Sequence, residues 1–210
     1  MKKAGMIMAS LAVLIVALTA FESCATLNQM AAALSNLKRL QFKIGEVSDF
    51  KLAGIVTTGK TKLSQFSAMD AVKLLGAFRA KNLPADIVIN VLAVNPNDGT
   101  GGSRQTVSTL TSLECRLLID GKPTVAGNIE RPVEIPGTGQ ASVIPIRLSL
   151  NLFEFFADKG YEDLIDLVLA IGGSNRSAAR LSLDAQPRVS TPIGEITYPG
   201  RIMIVDKEFR

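Results

Sequence analysis

The residues of this chain best suited to chemistry are carboxylates and amides. Glu162, Asp163 and Asp166 form its densest acidic group. Paired carboxylates serve as acid and base when their surroundings drive their pKa values apart. These three flank a helix end and a strand, where charged side chains commonly face solvent, so no catalytic role is expected of them. Asn95, Asn97 and Asp98 offer oxygen atoms to a cation, yet the alternating ligands and distal Glu of a calcium loop are missing. The run Asp98-Gly-Thr-Gly-Gly-Ser103 is rich enough in glycine to wrap a phosphate. A phosphate loop opens directly into a helix and usually carries Lys before Ser or Thr, whereas residues from Gln105 onward read as a strand. A hairpin loop is the better reading.

Absent residue types constrain the chemistry further. The 210 residues include no His, no Trp and two Cys. Without His the commonest general base and zinc ligand is missing, a Ser-His-Asp arrangement is impossible, and two Cys cannot build a four-ligand structural zinc site. The expectation is a chain that is not an enzyme, with no catalytic residues, no metal and no cofactor. The formal net charge is +4, and loss of Lys2, Lys3 and Glu22 with an export segment would lower it to +3. The basic residues alternate with acidic ones, as in Glu114/Arg116, Glu130/Arg131 and Lys207/Glu208. That is a solvated surface and not a nucleic-acid stripe.

The elements that position these residues are mostly strands. Ile87, Ile89, Val91 and Ala93 alternate with other residues, as do Ile144, Ile146, Leu148 and Leu150. Leu181, Leu183 and Ala185 form another such set, and Ile202 and Ile204 close the series. Each set lies on one face of a strand. Ile165, Leu167, Leu169 and Ile171 read the same way. Leu113, Cys115, Leu117 and Ile119 place Cys115 in the core, where it acts as a small hydrophobe. Turn-forming clusters divide these segments, among them Asp120-Gly121 and Pro136 to Gly139. Two helices interrupt them. Ser67 with Asp70 forms a capping box, with Asn82 and Pro84 as the stop. Asn151 with Glu154 opens the second, over Leu152 to Phe156, with Gly160 as its left-handed cap. Its Phe cluster suits either a ligand-binding surface or, more commonly, the closure of an open end. The predicted fold class is mainly β: an antiparallel immunoglobulin/fibronectin-III-like β-sandwich with two short helices, preceded by an N-terminal signal helix.

Lys2-Lys3 precedes an uncharged run from Ala4 to Ala20, which barely reaches across a bilayer and is typical of a secretory signal, with a permanent membrane anchor as the alternative. Its end, Phe21-Glu22-Ser23-Cys24, resembles the bacterial lipobox, which implies acylation of Cys24; Ser23 fits that pattern, and Phe21 and Glu22 depart from it. The alternative is an ordinary signal peptide, with Cys24 free or paired with Cys115. The segments divide as 1–23, signal peptide; 24–40, a loose tether or short amphipathic helix carrying Leu27, Met30, Leu34 and Leu37; and 41–210, the sandwich. In that last segment Asn95-Pro96-Asn97, the hairpin Leu118 to Pro123, the strand Val125 to Ile135 and the closing Thr191 to Gly200 resemble the WHy domain, also called late embryogenesis abundant type 2. The resemblance spans about residues 41–206, with an added helix at Ser67 to Lys81, and Asp98 to Ser103 standing where the family often carries Pro and aromatic residues. It implies a membrane-anchored, non-catalytic interaction or stress-protection module of the bacterial cell envelope, associated with desiccation. Its partners would be the membrane, envelope proteins or lipid. With no Asp after Cys24, the lipoprotein resemblance implies an outer-membrane location facing the periplasm. The alternative function is carriage or sensing of an apolar ligand, a lipid, between the sheets.

Overall fold

A computed structural model describes residues 28–100, 105–173, 180–192, 194–206 and 209. The signal segment, Cys24 and Ser103 lie outside the described residues. Residues 28–39 form helix α1. The order continues β1 (Gln41–Leu52), β2 (Ile55–Val56), a 3-10 turn (Leu63–Gln65), α2 (Ala68–Arg79), β3 (Pro84–Val94), β4 (Ser108–Ile119), β5 (Lys122–Gly127) and β6 (Val133–Ile135). Then come β7 (Ala141–Asn151), α3 (Leu152–Phe156), α4 (Tyr161–Gly172), β8 (Leu181–Thr191), β9 (Gly194–Thr197) and β10 (Ile202–Ile204).

Two antiparallel sheets make a β-sandwich. One runs β2-β1-β3-β7; the other runs β10-β8-β4-β5, with β6 joined to β4 and β9 to β8. Register follows the alternation of apolar residues. Ile87 lies opposite Phe50 and Leu148, Ile89 opposite Ile146, and Val91 opposite Ile44 and Ile144. In the second sheet Cys115 faces Ala185 and Leu117 faces Leu183. All of these are buried in a single cluster that draws on both sheets. One backbone bond, from Ile44 N to Val205 O at 2.8 Å, ties the first sheet to the segment after β10. Asp120-Gly121 makes the β4–β5 hairpin with both residues at positive φ, 51° and 76°, the geometry a two-residue turn needs to match strand twist. Pro145 stands opposite Asn90 in the middle of β7, and only an edge strand readily accepts a residue with no N–H there.

Helices close one end of the sandwich. Asp70 N donates to Ser67 Oγ and Ser67 N to Asp70 Oδ2, each at 3.1 Å, completing the expected capping box of α2. Phe78 on α2 meets Phe153 on α3 and Tyr161 on α4 edge to face, with centroids 5.6 and 5.5 Å away. Leu152 and Phe156 are buried beneath them, so the Phe cluster closes the sandwich end.

Several expectations are corrected. Residues 165–171 are not a strand but part of helix α4. Leu164 and Val168, between the alternating residues, are also apolar and buried, and 164, 165, 167, 168 and 171 make a helical stripe. Gly160 accordingly caps the start of α4 and not the end of α3. Its N–H donates to Asp163 Oδ2 at 3.4 Å, and Glu162 and Asp163 sit in the first turn, where the helix dipole favours negative charge. The sandwich thus carries more helix than the two short segments expected. The stretch Val125 to Ile135 is likewise divided into β5 and β6, because Asn128 leaves the ladder and Pro132 has no N–H to give it. Asn128 Oδ1 instead accepts from Leu113 N at 2.7 Å, close to the register shift in β4 between Leu110 and Ser112.

Candidate functional site

Asn95, Pro96 and Asn97 end β3, and both amides are fully buried (0% exposed). Asn95 Nδ2 donates to Thr106 O at 2.8 Å and Ile135 O at 3.0 Å. Asn95 Oδ1 accepts from the Asn97 backbone N–H at 3.1 Å and from Asn97 Nδ2 at 2.8 Å. Asn97 Nδ2 also reaches Asn36 O on α1 at 3.3 Å. Gly137 passes so close that a Cβ there would lie 2.2 Å from Asn97 O. This turn is therefore a polar lock. It joins the end of β3, the approach to β4, the end of β6 and helix α1, and its side chains face inward. Residues 28–39 are helical, with Leu37 buried and Met30 exposed, so only the last turn of α1 packs on the body.

The other sequence candidates disperse. Cys115 is buried beside Gly127 O at 3.5 Å, and burial pushes its thiol up to about 11. Glu162 and Asp166 are exposed on α4, apart from its buried stripe. Asp98 accepts from Thr100 N and Oγ1 at 2.9 and 2.7 Å, and these bonds lower its pKa. Its carboxylate thus supports a local turn. Among the described residues no three His, Cys, Asp or Glu come together in a metal-binding group.

Two surface features emerge that the sequence reading did not single out. One is a hollow of about 400 Å³ on the outer face of the first sheet, where Lys43, Glu46, Asn90 and Asp206 meet. Gly45 keeps it open, since a Cβ there would sit 3.0 Å from Asn90 O. The other is the end of the molecule formed by β2, the 3-10 turn and α2. There Met69 is 76% exposed, Val72 68%, Val56 50% and Leu63 45%. Lys60 and Lys73 line a hollow with Val56 and Asp70, and Lys62 adjoins Leu63 in the chain. The signal for this face was present in Met69, Val72 and Gly76, which fall on the side of α2 away from buried Leu74.

Comparison with known proteins adds little. No family model matches the chain, and no solved structure does. Dihydroxy-acid dehydratase of Mycobacterium leprae (strain TN) is 27% identical over 143 residues, covering 64% of this chain. The match spans 25% of the dehydratase. It overturns the expectation that the chain is not an enzyme. Lack of His removes only histidine-dependent routes; Lys and carboxylate chemistry stays available. Among the described residues no helix is long and apolar enough to cross a membrane.

Proposed function

We propose that this chain is a lipid-anchored module of the bacterial envelope, resembling the WHy type, that engages envelope partners through the outside of its sandwich. Acylation of Cys24 would attach it, with the domain facing the periplasm from the outer membrane. The observation that carries the reading is the filled space between the sheets. Ile44, Ile89, Val91, Leu117, Ile144 and Leu183 are each at most 1% exposed there. Packing of that kind favours a scaffold over a carrier, whose apolar ligand needs a cavity of some hundreds of Å³. Mass spectrometry of the mature protein and its extractable lipid tests both halves. The expected result is an acylated N-terminal Cys24 with no stoichiometric free lipid. An unmodified N-terminus elsewhere overturns the anchor, and a lipid released one per chain restores the carrier.

The dehydratase match favours a second reading, in which the chain removes water from a hydroxy acid. The hollow of Lys43, Glu46, Asn90 and Asp206 offers an ammonium to hold a substrate carboxylate and carboxylates to move a proton. Loss of water from adjacent hydroxyls leaves an enol that becomes an oxo acid. Formation of that oxo acid from a dihydroxy acid, abolished by Glu46→Gln, is the supporting result; no turnover by the wild-type chain removes this reading.

A further inference from the structure

The face built by β2, the 3-10 turn and α2 has the composition of a membrane-docking surface, and its charge is distinctive. Residues 55–82 hold five of the chain's 23 basic residues and one of its 19 acidic ones, leaving eighteen of each sign elsewhere. The whole net charge of +4 is therefore concentrated here. The one acid, Asp70, is committed to the Ser67 cap. Bonding to Ser67, first among its influences, and then the nearby Lys60 and Lys73 lower its pKa.

Exposed apolar groups lie among these cations. Met69 and Val72, three apart on α2, share one side of the helix, and Leu63 and Val56 are exposed on the turn and strand that precede it. The supporting loop is firmly held. Gly59 N donates to Gly172 O at 2.6 Å, Thr57 N donates to Phe50 O at 2.8 Å, and Thr57 Oγ1 donates to the same Phe50 O at 2.9 Å. Lys60 Nζ is fixed over the Phe66 ring at 5.0 Å and bonds Gln65 O at 2.9 Å. Exposed apolar groups interspersed with ammonium groups on one well-held segment match an anionic lipid surface, where headgroups take the charge and the acyl boundary takes Met69, Val72 and Leu63.

We infer that this end of the molecule docks on an anionic phospholipid surface through Met69, Val72 and Leu63, with Lys60, Lys62 and Lys73 paired to headgroup phosphates. It lies at the far end of β1 from helix α1. The twelve residues of β1 separate it from α1 by about 40 Å at the usual strand rise. Capture of a separate vesicle is therefore the discriminating measurement, since it is scored apart from attachment through the proposed anchor. The inference uses the proposed anchor only to hold the chain on the first vesicle.

The test places the full chain in phosphatidylcholine vesicles and measures capture of a second, labelled population, either phosphatidylcholine alone or mixed with phosphatidylglycerol. Capture of the anionic population only is expected. At about fivefold per lysine near an anionic surface, combined Lys60→Ala, Lys62→Ala and Lys73→Ala lowers capture roughly 100-fold. Met69→Asp with Val72→Asp abolishes it, and because both side chains are exposed the fold stays intact, as far-UV circular dichroism checks. A chain that stays on its vesicles but captures neither population overturns the inference and spares the anchor. If the chain leaves its vesicles the anchor fails, and direct co-sedimentation with the anionic vesicles then decides the docking face, variant-insensitive binding overturning it. Equal capture of neutral vesicles also overturns it. So does binding to polyglutamate that is indifferent to the Met69 and Val72 changes, which would put an acidic protein in place of lipid.

Discussion

Cys115 faces the core from the middle of β4, and burial raises its thiol from an ordinary 9.0 to about 11. The folded protein holds this proton more tightly than the unfolded chain does. Its contribution to stability is thus complete below pH 9 and falls as pH rises from 9 to 11. Two units correspond to about 3 kcal/mol. Urea unfolding at pH 8 and pH 11 should show the wild type losing more stability than Cys115→Ala by up to that amount. At pH 8 the native thiol should resist alkylation and react only in denaturant, because reactivity needs access and a stabilised thiolate. Rapid native labelling would mean that β4 is turned over. The Asn pair makes a second prediction at this scale. Asn95→Ala removes the donor shared by Thr106 O and Ile135 O, and stranded buried acceptors cost about 1–3 kcal/mol each. Asn97→Ala should cost less, since Asn97 Oδ1 already lacks a partner among the described residues. Equal losses in chemical denaturation would count against the lock.

Helix α4 shows how far elements can be read from the chain. Leu164→Ala, at a fully buried site, should cost about 2–5 kcal/mol, and Asp166→Ala about 0.5 kcal/mol or less. In a strand burying Ile165, Leu167, Leu169 and Ile171, Leu164 would point outward and its truncation would be harmless, so thermal unfolding of the two variants separates the arrangements. The strands β3, β4, β7 and β8 were legible because polar residues, such as Glu114, Arg116, Arg147 and Asp184, mark the outer face. In α4 the apolar residues run on both sides of the alternation and only Asp166 interrupts them, so period two and period 3.6 both fit. Gly160 was placed at a helix end correctly but at the wrong helix, since its φ of −67° is open to any residue. The Asn-Pro-Asn turn was legible as a turn. That its amides face inward was not, because their partners at Asn36, Thr106 and Ile135 come from distant parts of the chain. The exposed side of α2 was missed for a related reason: pattern reading looks for residues that face the core, and Met69 and Val72 do not.

As a whole the molecule is bound into one unit. A single buried cluster spans both sheets and the helical end, α1 is bonded through Asn36, and the first sheet is stitched to the chain beyond β10 at Val205. Unfolding followed by far-UV circular dichroism and by Cys115 accessibility should therefore give coincident transitions. Two separate midpoints would mean that the sheets come apart independently.

Pro145 has a meaning that appears only when many copies are considered together. On the proposed anchoring, copies of the chain would be confined to a plane, where neighbours meet at concentrations that free solution never reaches. A long edge strand under such crowding is a template for chain-to-chain pairing, and β7 is eleven residues long. Pro145 removes one amide hydrogen at its centre, so an incoming strand finds its ladder broken after a few rungs. Pro145→Val should leave the isolated protein folded, yet produce slow, density-dependent clustering on vesicles, visible by light scattering. The residue acts as a brake on assembly, and its effect is felt by the population more than by the single molecule.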